Sequence, residues 1–307
     1  MKKYFVLDMG GTFIKYALMN EKAEILEHGK FPAETENLEK LLEDIVKAAD
    51  PYRGQIEGIA VSMPGRINTE EGIACTGGSF HFFRDTPFGK MLQERFGLPV
   101  TLANDGKCAA MAEVGDGALA GHNSGAVIVL GTGIGGGVVL NRKVWMGATG
   151  GAGEFSWLLK DFRRFADEPL NYMNAMGLIW AGDTSAPALM RMYAERKNED
   201  PAKFTGISFF EAYDAGDPDA HDALKEFGRR AVAGIYAVQS VLDLECYAIG
   251  GGISARKEVT DIIRECLQEK VAEFPYVPFC TPEIVTCRYG NDANLIGALH
   301  FHLDRIQ

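Results

Sequence analysis

Two segments of the chain share one plan: an apolar strand, a glycine-rich turn and a second strand. The first runs through Tyr4–Leu7, Asp8-Met9-Gly10-Gly11-Thr12 and Phe13–Met19; the second runs through Gly125–Leu130, Gly131–Gly137 and Val138–Leu140. This duplication constrains the fold more than any other feature. Each unit predicts a hairpin whose turn offers backbone N–H groups at a strand end, so two α/β lobes are expected to present such turns to a shared cleft. The same order of elements excludes two commoner glycine motifs. A P-loop and a dinucleotide fingerprint both need the glycine turn to open a helix. Here a strand pattern follows, and no Gly-Lys-Ser/Thr comes after Gly10-Gly11.

The remaining elements alternate as an α/β protein should. Leu38, Leu41, Leu42, Ile45, Val46 and Ala49 recur at helical spacing, Ile56–Met63 reads as a buried strand, and Pro64-Gly65 stops it. A helix near Phe88–Phe96, a strand at Val100–Ala103 and a small-residue helix from Gly106 to Gly115 complete a first lobe. Beyond the second hairpin the pattern predicts a helix over Ala220–Leu242, a strand at Cys246–Ile249, a third glycine cluster at Gly250–Gly252, a helix over Lys257–Glu273 and a C-terminal helix over Asp292–Asp304. The stretch Trp157–Ala220 has no clear period. At 307 residues the chain exceeds the usual size of a single core. The expected division is an N-terminal lobe over 1–118, with the helix at 292–307 packed back on it, and a larger lobe over 119–291.

Charge and cysteine usage narrow the function. A net charge of −11, with no basic run beyond Lys2-Lys3, argues against a nucleic-acid partner, which would need a basic face. The apolar run Tyr4–Leu7 is too short for a signal peptide or membrane span, so a cytoplasmic protein with no membrane association is expected. Six scattered cysteines contain no C-x-x-C pair, which suggests neither a disulfide framework nor a zinc ribbon.

The chemistry concentrates at four places. In the first turn, Gly10 and Gly11 permit backbone angles closed to other residues and let phosphate oxygens approach the main chain; Thr12 adds a hydroxyl donor, and Asp8 at the strand end suits Mg²⁺ held through water. A plain tight hairpin is the alternative. The second turn has five glycines and a threonine in seven residues, more than turn geometry needs, so Gly131, Thr132, Gly133 and Gly135 read as an anion nest. Together the two turns predict a clamp on the phosphates of one ATP. Gly250-Gly251-Gly252 would let a flat adenine ring lie against main chain, a reading compatible with a strand-to-helix turn capped by Ser254. Asn104-Asp105 follows a strand, where ligands bind in open α/β sheets. Asp105 is the candidate general base for phosphoryl transfer; a helix cap is the competing use of the same residue.

These pieces resemble the ROK family of bacterial sugar kinases, within the actin-like and hexokinase ATPase superfamily. The matching segments are Leu7–Thr12, Val61–Gly65, Leu98–Val100 leading to Ala103-Asn104-Asp105, Leu130–Gly137, Gly151–Glu154 and Ile249–Ser254, in order through nearly the whole chain. The resemblance implies a two-lobed actin-like (ribonuclease H-like) fold with a central cleft, and ATP-dependent transfer to a hexose hydroxyl, usually the 6-hydroxyl. It implies Asp105 as base, with Gly65, Gly78, Asn104 and Glu154 around a small-molecule sugar, and a homodimer. Many members follow the glutamate with Gly-His and a cysteine-rich zinc loop. Here Phe155-Ser156-Trp157 follows Glu154 and no cysteine lies between Cys108 and Cys246, so that zinc site is expected to be absent. Gly77–Phe80 and Gly153–Phe155 resemble a zinc-less, β-glucoside kinase-like branch. Trp157 is expected to fill core rather than stack on a sugar. Asn171 stands where most members carry a sugar-binding glutamate, which puts plain glucose in doubt. Two rivals are a sugar-sensing regulator, which in this family carries a DNA-binding domain ahead of the first strand, and an inactive sugar-binding protein.

Overall fold

A computed structural model describes residues 1–171 and 174–306. The chain forms two compact units. The first comprises Met1–Ala120, Gly137–Gly153 and the C-terminal stretch from Asn291; the second comprises Gly121–Gly136 and Glu154–Gly290.

In the first unit, strands β1 (Lys3–Met9), β2 (Phe13–Asn20), β3 (Ile25–Pro32) and β4 (Ile59–Met63) enter one sheet. Three short strands, β5 (Ile67–Asn68), β6 (Ile73–Thr76) and β7 (Arg84–Thr86), make a separate small sheet. Strand β8 (Val100–Asn104) closes the main sheet, whose order is β3-β2-β1-β4-β8. The β1–β2–β3 meander is antiparallel, whereas β1, β4 and β8 run parallel and are buried along most of their length. Their register aligns Asp8 with Ser62, and Ser62 with Ala103, so three strands end side by side at the residues singled out above.

The helices pack where the apolar spacing predicts. Helix α1 (Leu38–Ala49) is capped by Asn37 and buries Leu41, Leu42 and Ile45; α2 (Phe88–Phe96) ends at the left-handed Gly97. Helix α3 (Asp105–Gly115) contacts the C-terminal helix, which in turn contacts β1, β4 and β8.

The second unit is built on β9 (Gly125–Leu130), β10 (Ile134–Leu140), β12 (Cys246–Gly250) and β13 (Glu283–Thr286), with β12 parallel to both β9 and β13. The chain leaves this unit within β10, whose far end pairs with β11 (Lys143–Trp145). Trp157–Ala220, without a legible period, contains the short helices α4 (Phe162–Asp167), α5 (Ala175–Leu178) and α6 (Ala181–Thr184), then α7 (Ala186–Lys197) and α8 (Gly206–Asp214). Helices α9 (Pro218–Leu242) and α10 (Lys257–Glu273) pack on each other. Trp180 lies so close over α9 that a Cβ at Gly234 would sit 2.0 Å from its ring, and its Nε1 donates to the Arg230 carbonyl at 3.1 Å. Helix α11 (Ala293–Ile306) completes the first unit.

Candidate active site

At the carboxyl ends of β1, β4 and β8 the first unit gathers most of its predicted site residues. Asp8 is only 8% exposed. Its Oδ1 accepts from Asn294 Nδ2 at 3.0 Å and from Ser62 Oγ at 3.3 Å, and Lys15 Nζ lies 3.7 Å from Oδ2. Burial pushes the carboxyl pKa up, and Asn294, Lys15 and Ser62 pull it back down without overcoming the burial. With Oδ1 already holding two donors, Asp8 suits a hydrated divalent cation reached through water better than direct coordination. Mg²⁺ keeps several of its waters when bound, so this donor set fits it.

The first glycine turn owes its glycines to crowding. Neither Gly10 nor Gly11 has the left-handed backbone angles expected of the turn. A Cβ at Gly10 would sit 2.8 Å from the Phe13 carbonyl, and one at Gly11 would sit 2.6 Å from Ser79 Oγ. Thr12 is exposed at the turn. Gly65, by contrast, does need positive φ (94°), and a Cβ there would strike the Thr76 carbonyl at 2.3 Å. Gly78, also left-handed, packs against Pro64. The loops around Gly11, Gly65 and Gly78 are therefore packed against one another.

Asn104 and Asp105 take different positions at the start of α3. Asn104, not Asp105, caps α3: its Oδ1 accepts from Lys107 N at 3.2 Å while its Nδ2 donates to the Gly65 carbonyl at 3.0 Å. Asp105 is the first helical residue, and its Oδ1 accepts from Gly106 N at 2.8 Å. The capping role that competed for Asp105 thus belongs to its neighbour.

In the second unit, the turn after β9 is held from within. Gly131 N donates to the Gly133 carbonyl at 3.0 Å, and Ser156 Oγ accepts from Ile134 N at 2.8 Å and donates back to the Ile134 carbonyl at 3.1 Å. Of the N–H groups expected to face an anion, that of Gly131 is thus engaged inside the protein, and so is that of Ile134 within the same turn. Gly131 and Gly135 have no protein atom closer than ordinary contact to a Cβ placed on them, so neither crowding nor backbone angle accounts for those glycines.

Beside this turn lies a cavity of about 700 Å³ lined by Leu130, Gly131, Thr132, Phe210, Gly252 and Arg256, among others. The Arg256 guanidinium sits 4.7 Å from the Phe210 ring centroid and is tied to Asp214 at 2.6 Å. Gly250 faces Cys287, and Gly251, at φ 95°, runs against the Leu130 carbonyl, which ties the third glycine cluster to the end of β9. Gly252 has nothing within 4 Å of a Cβ position and lines the cavity. Ser254 does not cap α10; its Oγ donates to the Gly251 carbonyl at 2.8 Å, and Arg256 occupies the cap position.

Glu154 is exposed at the start of a short 3₁₀ turn in the second unit, whereas Gly65, Gly78, Asn104 and Asp105 belong to the first. Trp157 is 59% exposed and is not core, contrary to expectation. Asn171 is exposed and exchanges hydrogen bonds with Asn174, each side chain accepting from the other's backbone N–H. Sequence reasoning missed Asn294, Lys15 and Ser62 around Asp8, Ser156 behind the second turn, and Phe210 and Arg256 in the cavity. Of these only Lys15 carried a local signal, since antiparallel pairing across the first turn sets it opposite Asp8.

A profile of the ROK family matches residues 4–305. The chain is 31% identical over 304 residues to a beta-glucoside kinase of Klebsiella pneumoniae, covering 98% of this chain and 96% of that protein. A ROK family protein from Streptococcus pneumoniae, solved in complex with sucrose, superposes with a TM-score of 0.85 at 26% identity over 99% of each chain. A ROK family glucokinase from Streptomyces griseus, solved with glucose and AMPPNP, superposes with a TM-score of 0.79 at 25% identity over 97% of this chain and 98% of that one. The α/β architecture is thus that of the actin-like ATPases, as the family resemblance implied.

Proposed function

Because this chain belongs to the ROK family, we propose that it transfers the terminal phosphoryl group of ATP to a sugar hydroxyl, the 6-hydroxyl of a hexose or β-glucoside. The observation that carries this reading is the setting of Asp105. It stands at the carboxyl end of a parallel strand, directly after an asparagine locked on both sides by Gly65 and Lys107. Asn104 and the Gly65 loop fix the backbone on which Asp105 sits, so its carboxylate is preorganised to orient an acceptor hydroxyl and take its proton as the phosphoryl group leaves ATP.

The tasks divide between the units. The second supplies an adenosine pocket: the Gly252 surface takes the flat ring, while the Arg256–Phe210 pair forms a wall. The turn at Gly131–Gly135 receives phosphates, and its two sterically unneeded glycines keep main chain open to them. The first unit supplies Gly10, Gly11 and Thr12 as further phosphate donors, and Asp8 to hold Mg²⁺ through water. Bound there, the cation would neutralise charge on the transferring phosphoryl group. Gly65, Gly78, Asn104 and Glu154 recognise the sugar, whose vicinal hydroxyls need paired donors and acceptors.

Among the described residues no helix is long and apolar enough to cross a membrane. A homodimer is the expected assembly; sedimentation showing only a 33.5 kDa species would refute it. The substrate is best found by coupled ADP release across glucose, mannose, fructose, N-acetylated hexosamines, cellobiose and gentiobiose. We expect sugar-dependent turnover with one or more of them, highest with a β-linked disaccharide given Asn171 in place of glutamate. ADP release that no sugar stimulates would contradict the proposal.

A further inference from the structure

At the amino ends of β9, β12 and β13, the opposite ends of these strands from Gly131 and Gly250–Gly252, three side chains of different metal-binding chemistry converge. His122 precedes β9, Cys246 opens β12 and Glu283 opens β13; the parallel register pairs Cys246 with both Gly125 and Glu283. One nitrogen of His122, Sγ of Cys246 and a carboxylate oxygen of Glu283 all lie within 4.8 Å of one another. Tetrahedral zinc with bonds of about 2.0–2.3 Å sets its ligand atoms about 3.3–3.8 Å apart, so small side-chain rotations bring this set to bonding distance. We infer that His122, Cys246 and Glu283 form a binding site for one zinc ion.

The surroundings favour a cation. His122 Nε2 faces the Glu283 carboxylate at 3.9 Å, while Nδ1 faces the Glu245 carboxylate at 3.7 Å. Glu245 is itself fixed, since it accepts from Asn123 N at 2.7 Å. A carboxylate so placed, if drawn to hydrogen-bonding distance on metal binding, would orient the ring as in a carboxylate–histidine–zinc arrangement. Imidazole nitrogen, thiolate sulfur and carboxylate oxygen together suit a borderline cation such as Zn²⁺ rather than Mg²⁺ or Ca²⁺, which take oxygen alone. A water completes the fourth position. On binding, the Cys246 S–H bond breaks, its proton passes to solvent and the sulfur lone pair forms the S–Zn bond. The ion would join the starts of three strands contributed by distant parts of the chain, and so stabilise the second unit. The site has no residue in common with the missing zinc loop, which would follow Glu154.

The test is titration of the full chain, stripped with a chelator, with Co²⁺ as a visible stand-in for Zn²⁺. We expect one equivalent to bind with the sulfur-to-metal charge-transfer band and intense visible bands of a tetrahedral thiolate site, all abolished by added Zn²⁺. The band should vanish in Cys246→Ser, and affinity should fall at least 10-fold in His122→Ala and Glu283→Gln and about 10-fold in Glu245→Gln. His122 and Glu283 are partly exposed, so those variants test the site even if Cys246→Ser does not fold. Asp8→Asn should leave the signal intact, which separates this site from the phosphotransfer machinery. No saturable binding below millimolar Co²⁺, or a thiolate band unchanged in Glu283→Gln and His122→Ala, would overturn the inference.

Discussion

Asp8 and His302 show how burial acts in opposite directions on an acid and a base in the same unit. Asp8 lies in a largely dry setting that raises its pKa, and the three donors around it offset part of that cost. His302, on α11, is fully buried; Thr101 Oγ1 lies 3.0 Å from its Nδ1, and its Nε2 has no hydrogen-bond partner among the described residues. Burial alone lowers its pKa from 6.5 to about 4. The unfolded chain therefore binds a proton that the folded one refuses. Stability is fully present above pH 6.5 and is lost as the pH falls toward 4, at roughly 1.4 kcal/mol per pH unit. Urea melts at pH 7 and pH 5 should differ by roughly 2 kcal/mol from this residue, and His302→Gln should flatten that dependence. An equal pH slope in the variant would assign it to other groups. Apart from Lys15, set opposite Asp8 across the first turn, these partners were not legible in the sequence. Asn294 lies 286 positions from Asp8, and Thr101 lies 201 from His302; no local pattern encodes a pairing of that span.

At the scale of elements, adjacent glycines do different work. Gly251 has φ 95° with the Leu130 carbonyl against it, so Gly251→Ala should cost about 1–3 kcal/mol in thermal or denaturant unfolding. Gly252 faces open cavity, so Gly252→Val should leave stability within about 0.5 kcal/mol but raise the KM for ATP about 10-fold by filling the pocket. The reverse pattern would mean that the cavity does not hold the nucleotide. Helix α11 offers a second case. A Cβ at Gly297 would come within 1.7 Å of the Cys108 carbonyl on α3, so the two helices touch backbone to backbone. Gly297→Leu should destabilise by at least about 2 kcal/mol. It should also lower turnover, because α11 carries Asn294 to Asp8.

Over the whole molecule, what could be read in advance followed local periodicity. The two glycine hairpins, the buried strand ending at Met63 and the long helices α9 and α10 all have apolar patterns that one segment can declare alone. The small sheet β5–β7 escaped because strands of two to four residues cannot establish a period. Trp157–Ala220 escaped because its first helices are four to six residues long and lean on distant partners, as Trp180 does on Gly234. The candidate site divided along the same line: Asp8, the glycines and Asn104-Asp105 lie at element ends, which sequence marks well. Their supporting residues arrive from elsewhere in the chain. The proposal that these parts serve sugar phosphorylation turns on Asp105 as the base, and a single variant tests it most directly. Asp105→Asn, assayed with the best sugar from the panel, should reduce kcat by about 10²–10⁴-fold, while sugar affinity measured by calorimetry stays within a few-fold of the parent. Turnover like that of the parent in Asp105→Asn would contradict the account.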